Sequence, residues 1–287
     1  MVLTRVKDFL IMIDFEHTLF GLPFAYLGCF LAARGLPSWH QLLWITIAMI
    51  SARTAALCLN RLIDRKIDRQ NPRTSNWVLA EGRLPILPIW IIAVFLLLLL
   101  AYSAAQLNDL CFKLAPLAIA ILWLYSYTKR FTWLCHYFLG GAIGIGPVGA
   151  WIAVTGTMDW QPFILAAIVG FWVAGFDIMY ACQDIQFDRE NRLYSIPARF
   201  GEVGALVFSA VSHLLVVVFL ILNGVIHGLG MVYYLGILFV TILLVYEHYI
   251  VRPGDLSRVN QASFKINHYV GLIVFLTALA DIFKGNQ

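Results

Sequence analysis

The sequence predicts an all-α integral membrane protein, nine transmembrane helices forming one domain over residues 1–287. Three observations carry that expectation. First, 61% of the residues are hydrophobic and 13% charged, far from the roughly 45–50% apolar and 25% charged usage of soluble domains. Second, apolar runs recur near 11–33, 40–60, 86–106, 110–127, 134–155, 162–182, 203–223, 229–250 and 267–284, each bounded by charges, Pro or Gly. About 20 apolar residues cross a bilayer as a helix. Third, if nine runs alternate sides, 16 of the 20 Lys and Arg fall on the N-terminal side; the other side holds Arg34, Lys113 and Lys284, and Arg53 lies inside a span. Such an excess marks the cytoplasmic side, here that of an inner membrane.

Taken in order, the first run carries Asp8, Asp14, Glu16 and His17 near its start and lacks a small-residue cleavage site, so it is expected to stay as a span. The second ends in Asn60-Arg61-Leu62-Ile63-Asp64-Arg65-Lys66-Ile67-Asp68. The longest gap, about 61–85, is too short to bury a core of its own, which excludes a soluble domain. The fourth run leads into Tyr125-Ser126-Tyr127-Thr128-Lys129-Arg130, and the fifth contains Gly140-Gly141-Ala142-Ile143-Gly144-Ile145-Gly146-Pro147. Small residues of that kind favour close helix packing or a smooth cavity wall. The sixth ends in Tyr180-Ala181-Cys182-Gln183-Asp184-Ile185-Gln186-Phe187-Asp188. His213, His227, His248 and His268, toward the ends of the last three runs, read as interfacial and lack metal-ligand spacing. Cys29, Cys58, Cys111, Cys135 and Cys182 form no C-x-x-C pair and read as apolar fillers. The net charge of +4 reads as topology and contact with anionic lipid, and no basic groove or recognition motif points to nucleic acid.

The chemistry sits at the ends of the second and sixth runs. Asn60, Asp64 and Asp68 are four apart, and on a helix that spacing stacks three oxygen-bearing groups along one face. Asp184 and Asp188 repeat the spacing, with Asp177 extending that stripe upward. Asp64 and Asp184 are 120 residues and four spans apart, which returns the chain to the same side and suggests a duplicated four-helix unit, with Asp motifs at 60–68 and 177–188. Carboxylates at membrane depth cost at least about 2.5–3.5 kcal/mol on insertion scales, and paired carboxylates repel one another. A cation is therefore expected. Oxygen ligands without His or thiolate select Mg²⁺ or Ca²⁺, and Mg²⁺ commonly shares its shell with substrate phosphates.

With nine spans, N-x-x-x-D-x-x-x-D after the second and D-x-x-Y-x-x-x-D-x-x-x-D after the sixth, the chain resembles the UbiA superfamily of intramembrane prenyltransferases over nearly its whole length. The resemblance implies a bundle around a central cavity. There Asp64, Asp68, Asp184 and Asp188 hold Mg²⁺ against the diphosphate of a polyprenyl diphosphate, aided by Asn60, Asp177 and Tyr180. Tyr125 to Arg130 looks like the family's Tyr-x-x-x-Lys-Arg signature, so Lys129 serves the diphosphate as a point charge. Arg130 and Arg53, the latter seven residues before Asn60, are the expected grips for the carboxylate of an aromatic acid acceptor. Asn71-Pro72-Arg73-Thr74-Ser75-Asn76-Trp77 is similar to the family's Arg-Thr-x-Asn-Arg segment, but Trp77 stands where Arg is usual. One basic contact is missing or supplied elsewhere. The run 176–189, with Ser195-Ile196-Pro197-Ala198-Arg199-Phe200-Gly201, is most similar to bacterial 4-hydroxybenzoate-type polyprenyltransferases. It looks especially like the menaquinone branch that proceeds through futalosine, whose implied acceptor is 1,4-dihydroxy-6-naphthoate.

Two other classes compete on residues alone. A cation or organic-anion transporter also places carboxylates at helix ends, but more often shows midplane charges and interrupted spans in both halves. A non-catalytic lipid-binding or assembly protein needs no pair of opposed Asp stripes.

Overall fold

A computed structural model describes residues 2–13 and 21–284. Among the described residues, eight helical runs are long and apolar enough to cross a membrane, and Leu22–Ala33 adds a shorter apolar helix. The helices are α1 (Val2–Met12), α2 (Leu22–Ala33), α3 (Trp39–Gln70), α4 (Val78–Glu81), α5 (Ile86–Leu107), α6 (Asp109–Leu124), α7 (Cys135–Thr155), α8 (Pro162–Ala181), α9 (Ile185–Glu190), α10 (Ile196–His227), α11 (Met231–Ile250) and α12 (Asn267–Lys284). The span expected near 11–33 is thus described as the end of α1 and as α2, while Asp14, Glu16 and His17 lie outside the described residues. The other eight expected spans each coincide with a long helical run.

Local chemistry sets the helix ends. Ser38 caps α3 in a capping box with Gln41, satisfying two backbone donors at once, and Pro72 comes just after its last turn. At 32 residues α3 is about 48 Å long at 1.5 Å per residue. That exceeds a hydrocarbon core of about 30 Å, so the turns bearing Asn60 to Asp68 project beyond the apolar zone. Ser195 caps α10, whose first turn is set off by Gly201 at φ 73°, a left-handed conformation that glycine adopts without a Cβ penalty.

The spans close into a ring. Neighbours pack in the order α2, α3, α5, α6, α7, α8, α10, α11, α12, the last returns to α2, and α2 crosses the interior to pack on α7. Small residues permit the tightest contacts. A Cβ at Gly140 of α7 would lie 2.2 Å from the Gly170 carbonyl oxygen of α8, and one at Gly144 would lie 2.8 Å from that of Ala166. The glycine-rich segment therefore acts through packing. Trp172 of α8 and Tyr233 of α11 sit fully buried in the largest apolar cluster, and the Trp172 indole donates to Asn267 Oδ1. Leu87, Ile91, Val94, Phe95 and Leu98 of α5 are exposed, an apolar face suited to lipid.

The histidine expectation needs one correction. His213 is 3% exposed and lies mid-way along α10, so close to α8 that a Cβ at Gly175 would meet its ring at 2.3 Å. It is hydrogen-bonded to His248 at 3.1 Å. A glycine on the facing helix opens room for the ring, a cue that position along its own span does not carry.

Candidate active site

The first Asp stripe forms as its spacing predicts, because α3 runs unbroken through Asn60, Asp64 and Asp68. Asn60 donates to Asp64 Oδ2 at 3.1 Å. Asp64, 2% exposed, meets two cations from the 3₁₀ turn Tyr125–Arg130 that succeeds α6. Lys129 Nζ lies 2.7 Å from Oδ2 and Arg130 Nη2 lies 2.8 Å from Oδ1. Arg130 also donates to the Ser126 carbonyl at 2.8 Å and the Ile63 carbonyl at 3.1 Å. Its guanidinium is thus committed to α3 and to its own turn.

The second stripe is broken. The chain leaves α8 through a 3₁₀ turn at Cys182–Asp184 before starting α9, and three residues per turn instead of 3.6 rotates the later side chains about the axis. Asp184 therefore points to the loop after α3. It accepts from Arg73 Nε at 2.9 Å, Arg73 Nη2 at 2.5 Å and Asn71 Nδ2 at 2.8 Å. Arg73 Nη1 also donates to the Tyr180 hydroxyl at 2.6 Å. Burial opposes the Arg73 charge, but its hydrogen bonds to Asp184 and the neighbouring Tyr180 and Asp68 hold its pKa above the ordinary range. Asp188 accepts from the Ser195 hydroxyl at 2.7 Å. Asp177 departs from the stripe altogether and binds His136 Nδ1 of α7 at 2.8 Å.

The two motifs nevertheless converge. Lys129, ion-paired with Asp64, lies within Coulombic range of Asp68 and of Asp188, and Arg73 reaches from Asp184 toward Asp68. Asp68, Arg61, Arg73, Trp77, Tyr180 and Gln183 line one cavity of about 430 Å³. Asp68 is 8% exposed, and its carboxylate makes no hydrogen bond or ion pair among the described residues. Arg61 lies over the Trp77 ring at 3.6 Å from its centroid, so the indole that replaces the expected arginine seats another arginine beside the cavity. Phe264, on a π-helical turn ahead of α12, closes against Tyr180 with ring centroids 4.9 Å apart.

With this geometry, comparison with known proteins decides the family. The profile of the UbiA prenyltransferase family matches residues 21–269. The chain belongs to that family. It is 30% identical over 255 residues, 87% of each chain, to the 4-hydroxybenzoate octaprenyltransferase of Vibrio campbellii. The apo structure of a UbiA homolog from Aeropyrum pernix K1 superposes with a TM-score of 0.85 at 32% identity, over 93% of this chain and 98% of that one. A UbiA homolog from Archaeoglobus fulgidus bound to GPP and Mg²⁺ shares the fold, with a TM-score of 0.67 and 18% identity over 93% and 99% of the two chains. The chain is a multi-pass membrane enzyme, an aromatic prenyltransferase.

The donor set of this UbiA chain fits a hard divalent cation. Four carboxylates and the Asn60 amide would offer oxygen atoms of the kind such an ion takes, and Asp68 lies on the cavity. Among the described residues, however, no three acidic, His or Cys side chains converge closely enough to hold a metal alone. That pattern suits Mg²⁺, which commonly takes one or two carboxylates and completes its shell with water and substrate phosphates.

Sequence reasoning missed two features of this UbiA site. Asn71 and Arg73, the clamp on Asp184, are legible only as part of a loop segment. His136 carries no signal, because its relation to Asp177 exists only across two helices. Arg53 lies half-buried on α3, its charge in reach of Tyr125, whose hydroxyl donates to the Ala56 carbonyl at 3.2 Å.

Proposed function

We propose that the chain transfers a polyprenyl group from a polyprenyl diphosphate to a ring carbon of a hydroxyaromatic acid, in menaquinone or ubiquinone biosynthesis. The acceptor is 1,4-dihydroxy-6-naphthoate or 4-hydroxybenzoate. The observation that carries this reading is that Asp68 of the first motif and Tyr180 of the second line one cavity with Arg73 between them, while Lys129 pairs with Asp64 one turn before Asp68. A site holding acids and bases in near balance suits a metal-bound diphosphate.

Asp64, Asp68, Asp184 and Asp188, with Asn60, would hold Mg²⁺, which when bound supplies positive charge against the departing diphosphate. Lys129 and Arg73 add fixed positive charge on the diphosphate oxygens, lowering the barrier to breaking the allylic C–O bond. Tyr180 holds Arg73 in line. The surrounding apolar helices exclude water that would quench the allylic cation, and the polyprenyl tail remains among lipid-facing side chains. Arg53, deeper on α3 than Asn60, grips the acceptor carboxylate. Arg130 serves Asp64 first, so the acceptor role expected of it narrows to Arg53. Attack by the ring on the cation forms the new C–C bond, and loss of a proton restores aromaticity. The N-terminus and both Asp motifs face the cytoplasm, as the distribution of basic residues supports.

Mass spectrometry of membranes offered 4-hydroxybenzoate, 1,4-dihydroxy-6-naphthoate and a series of polyprenyl diphosphates tests this. A C-prenylated acid and released diphosphate are expected, and neither forms once divalent ions are chelated. Solute flux without a covalent product would point to transport instead.

A further inference from the structure

The UbiA pattern expects an arginine at position 77, and this chain carries an indole there. The cavity wall holds three other arginines, Arg61, Arg73 and Arg83, and one acidic side chain, Asp68. Arg83 is paired with Asp8 at 2.8 Å and Glu81 at 2.9 Å, and Arg73 with Asp184 at 2.5 Å. Arg61 is placed differently. It lies seven residues before Asp68 on α3, two turns at 3.6 residues each, so the two side chains leave the helix on one face. Its guanidinium carbon sits 3.6 Å from the centroid of the Trp77 ring. A π face takes none of a guanidinium's five N–H donors, whereas a carboxylate partner takes two at once.

The backbone fixes that indole against α3. Thr74, 1% exposed, donates from its hydroxyl to the Asp68 carbonyl at 2.9 Å, and its own carbonyl accepts from the Trp77 N–H at 2.9 Å. The Trp77 carbonyl accepts from the Glu81 N–H at 2.8 Å across α4, whose Val78 and Leu79 are buried in one apolar cluster with Ala55, Cys58 and Leu59 of α3. The ring is thus tied to the turn of α3 that carries Asp68. It also lies 5.6 Å from the Arg73 guanidinium, so two like charges share one ring. Like charges at such range repel, and an anion that meets both relieves the repulsion. A diphosphate presents oxygens on two phosphoryl groups, one for each guanidinium fork.

We propose that Arg61 binds the diphosphate of the donor in the role that the pattern assigns to an arginine at position 77, and that Trp77 is the positioning residue that holds its guanidinium on the cavity. The inference rests on the proposed diphosphate donor. The basic contact missing from the loop is supplied by α3, and the indole in its place is the platform that makes the exchange work.

The test is titration of the purified full chain in detergent with inorganic pyrophosphate in excess Mg²⁺, read by calorimetry with no acceptor present. Arg61→Ala is expected to weaken pyrophosphate binding about 10- to 100-fold, the scale of lost hydrogen bonds to a charged group, at the wild-type melting temperature. Trp77→Leu keeps apolar bulk but removes the π face, and should weaken binding several-fold while leaving the KM of the aromatic acid unchanged. In the double variant Arg61→Ala, Trp77→Arg the loop supplies the cation again, and most of the affinity should return. Arg61→Gln, which keeps most of the side-chain length, carries the test if the alanine variant melts lower. Wild-type affinity in the folded Arg61 variant, or a folded double variant as weak as the single one, overturns the proposal. Wild type that takes up no pyrophosphate with Mg²⁺ overturns the proposed donor instead, and this inference with it.

Discussion

Arg73 closes on Asp184 with two guanidinium nitrogens, Nε at 2.9 Å from one carboxylate oxygen and Nη2 at 2.5 Å from the other. The fork joins the loop after α3 to the turn after α8, and so holds the two Asp motifs in one place. Hydrogen bonds to charged groups contribute about 1.5–3 kcal/mol each, so Arg73→Ala is expected to lower kcat/KM for the polyprenyl diphosphate about 10- to 100-fold. Arg73→Lys recovers little, because an ammonium cannot reproduce a bidentate grip. Equal activity in the lysine variant, measured by steady-state turnover, would contradict this account.

Asp64 and Asp184 differ in their neighbours but share one expected fate on substitution. Asp64→Asn and Asp184→Asn preserve shape while removing the negative charge a divalent ion requires. Both are expected to abolish turnover in protein that elutes as folded monodisperse material. Chelation of divalent ions should do the same to wild type, with recovery on adding Mg²⁺. Substantial activity in either folded variant would remove the metal from the account of the site.

Arg53 and Arg130 separate by where they sit. Arg130 is bound to Asp64 and to two carbonyls, whereas Arg53 lies nearly two turns before Asn60 on α3. Arg53→Ala should raise the KM of the aromatic acid by about tenfold or more, the scale of a lost charged hydrogen bond, with little change for the polyprenyl diphosphate. Arg130→Ala should act mainly on the diphosphate substrate. Parallel KM measurements with both substrates decide the matter.

Trp77 seats Arg61 at 3.6 Å beside the cavity. A cation–π contact is worth about 0.5–2 kcal/mol, so Trp77→Ala is expected to raise the KM of the polyprenyl diphosphate several-fold. Trp77→Phe keeps an aromatic face and should recover most of the loss. Identical kinetics for the two variants would deny the stacking any role.

Gly140 tests the packing. A Cβ there would fall 2.2 Å from a backbone carbonyl, and backbone cannot swing aside as a flexible side chain can. Gly140→Ala should cost about 1–3 kcal/mol, read as a lower melting temperature in detergent. Gly141→Ala, where a Cβ meets nothing within 4 Å, should melt as wild type does.

The legibility of this protein in its sequence divides along one line: features carried by a single helix could be read, and features shared between helices could not. Asn60, Asp64 and Asp68 follow from a spacing of four because α3 continues through them. The same spacing misleads after α8, where the 3₁₀ turn at Cys182–Asp184 turns Asp184 toward Arg73 and leaves Asp177 to His136. Nothing in local spacing announces a change from 3.6 to three residues per turn. Arg130 was legible as a cation near the site, yet its partner could not be read, since Asp64 lies 66 residues away.

The cavity draws its walls from α1, α3, the α3–α4 loop, α8 and the π-helical turn before α12. During synthesis these pieces leave the ribosome far apart in time, Phe264 long after Met12. A nascent chain that has already threaded its early helices into the bilayer therefore carries half a reaction chamber. The chamber is complete only once the π-helical turn that bears Phe264 has packed on Tyr180.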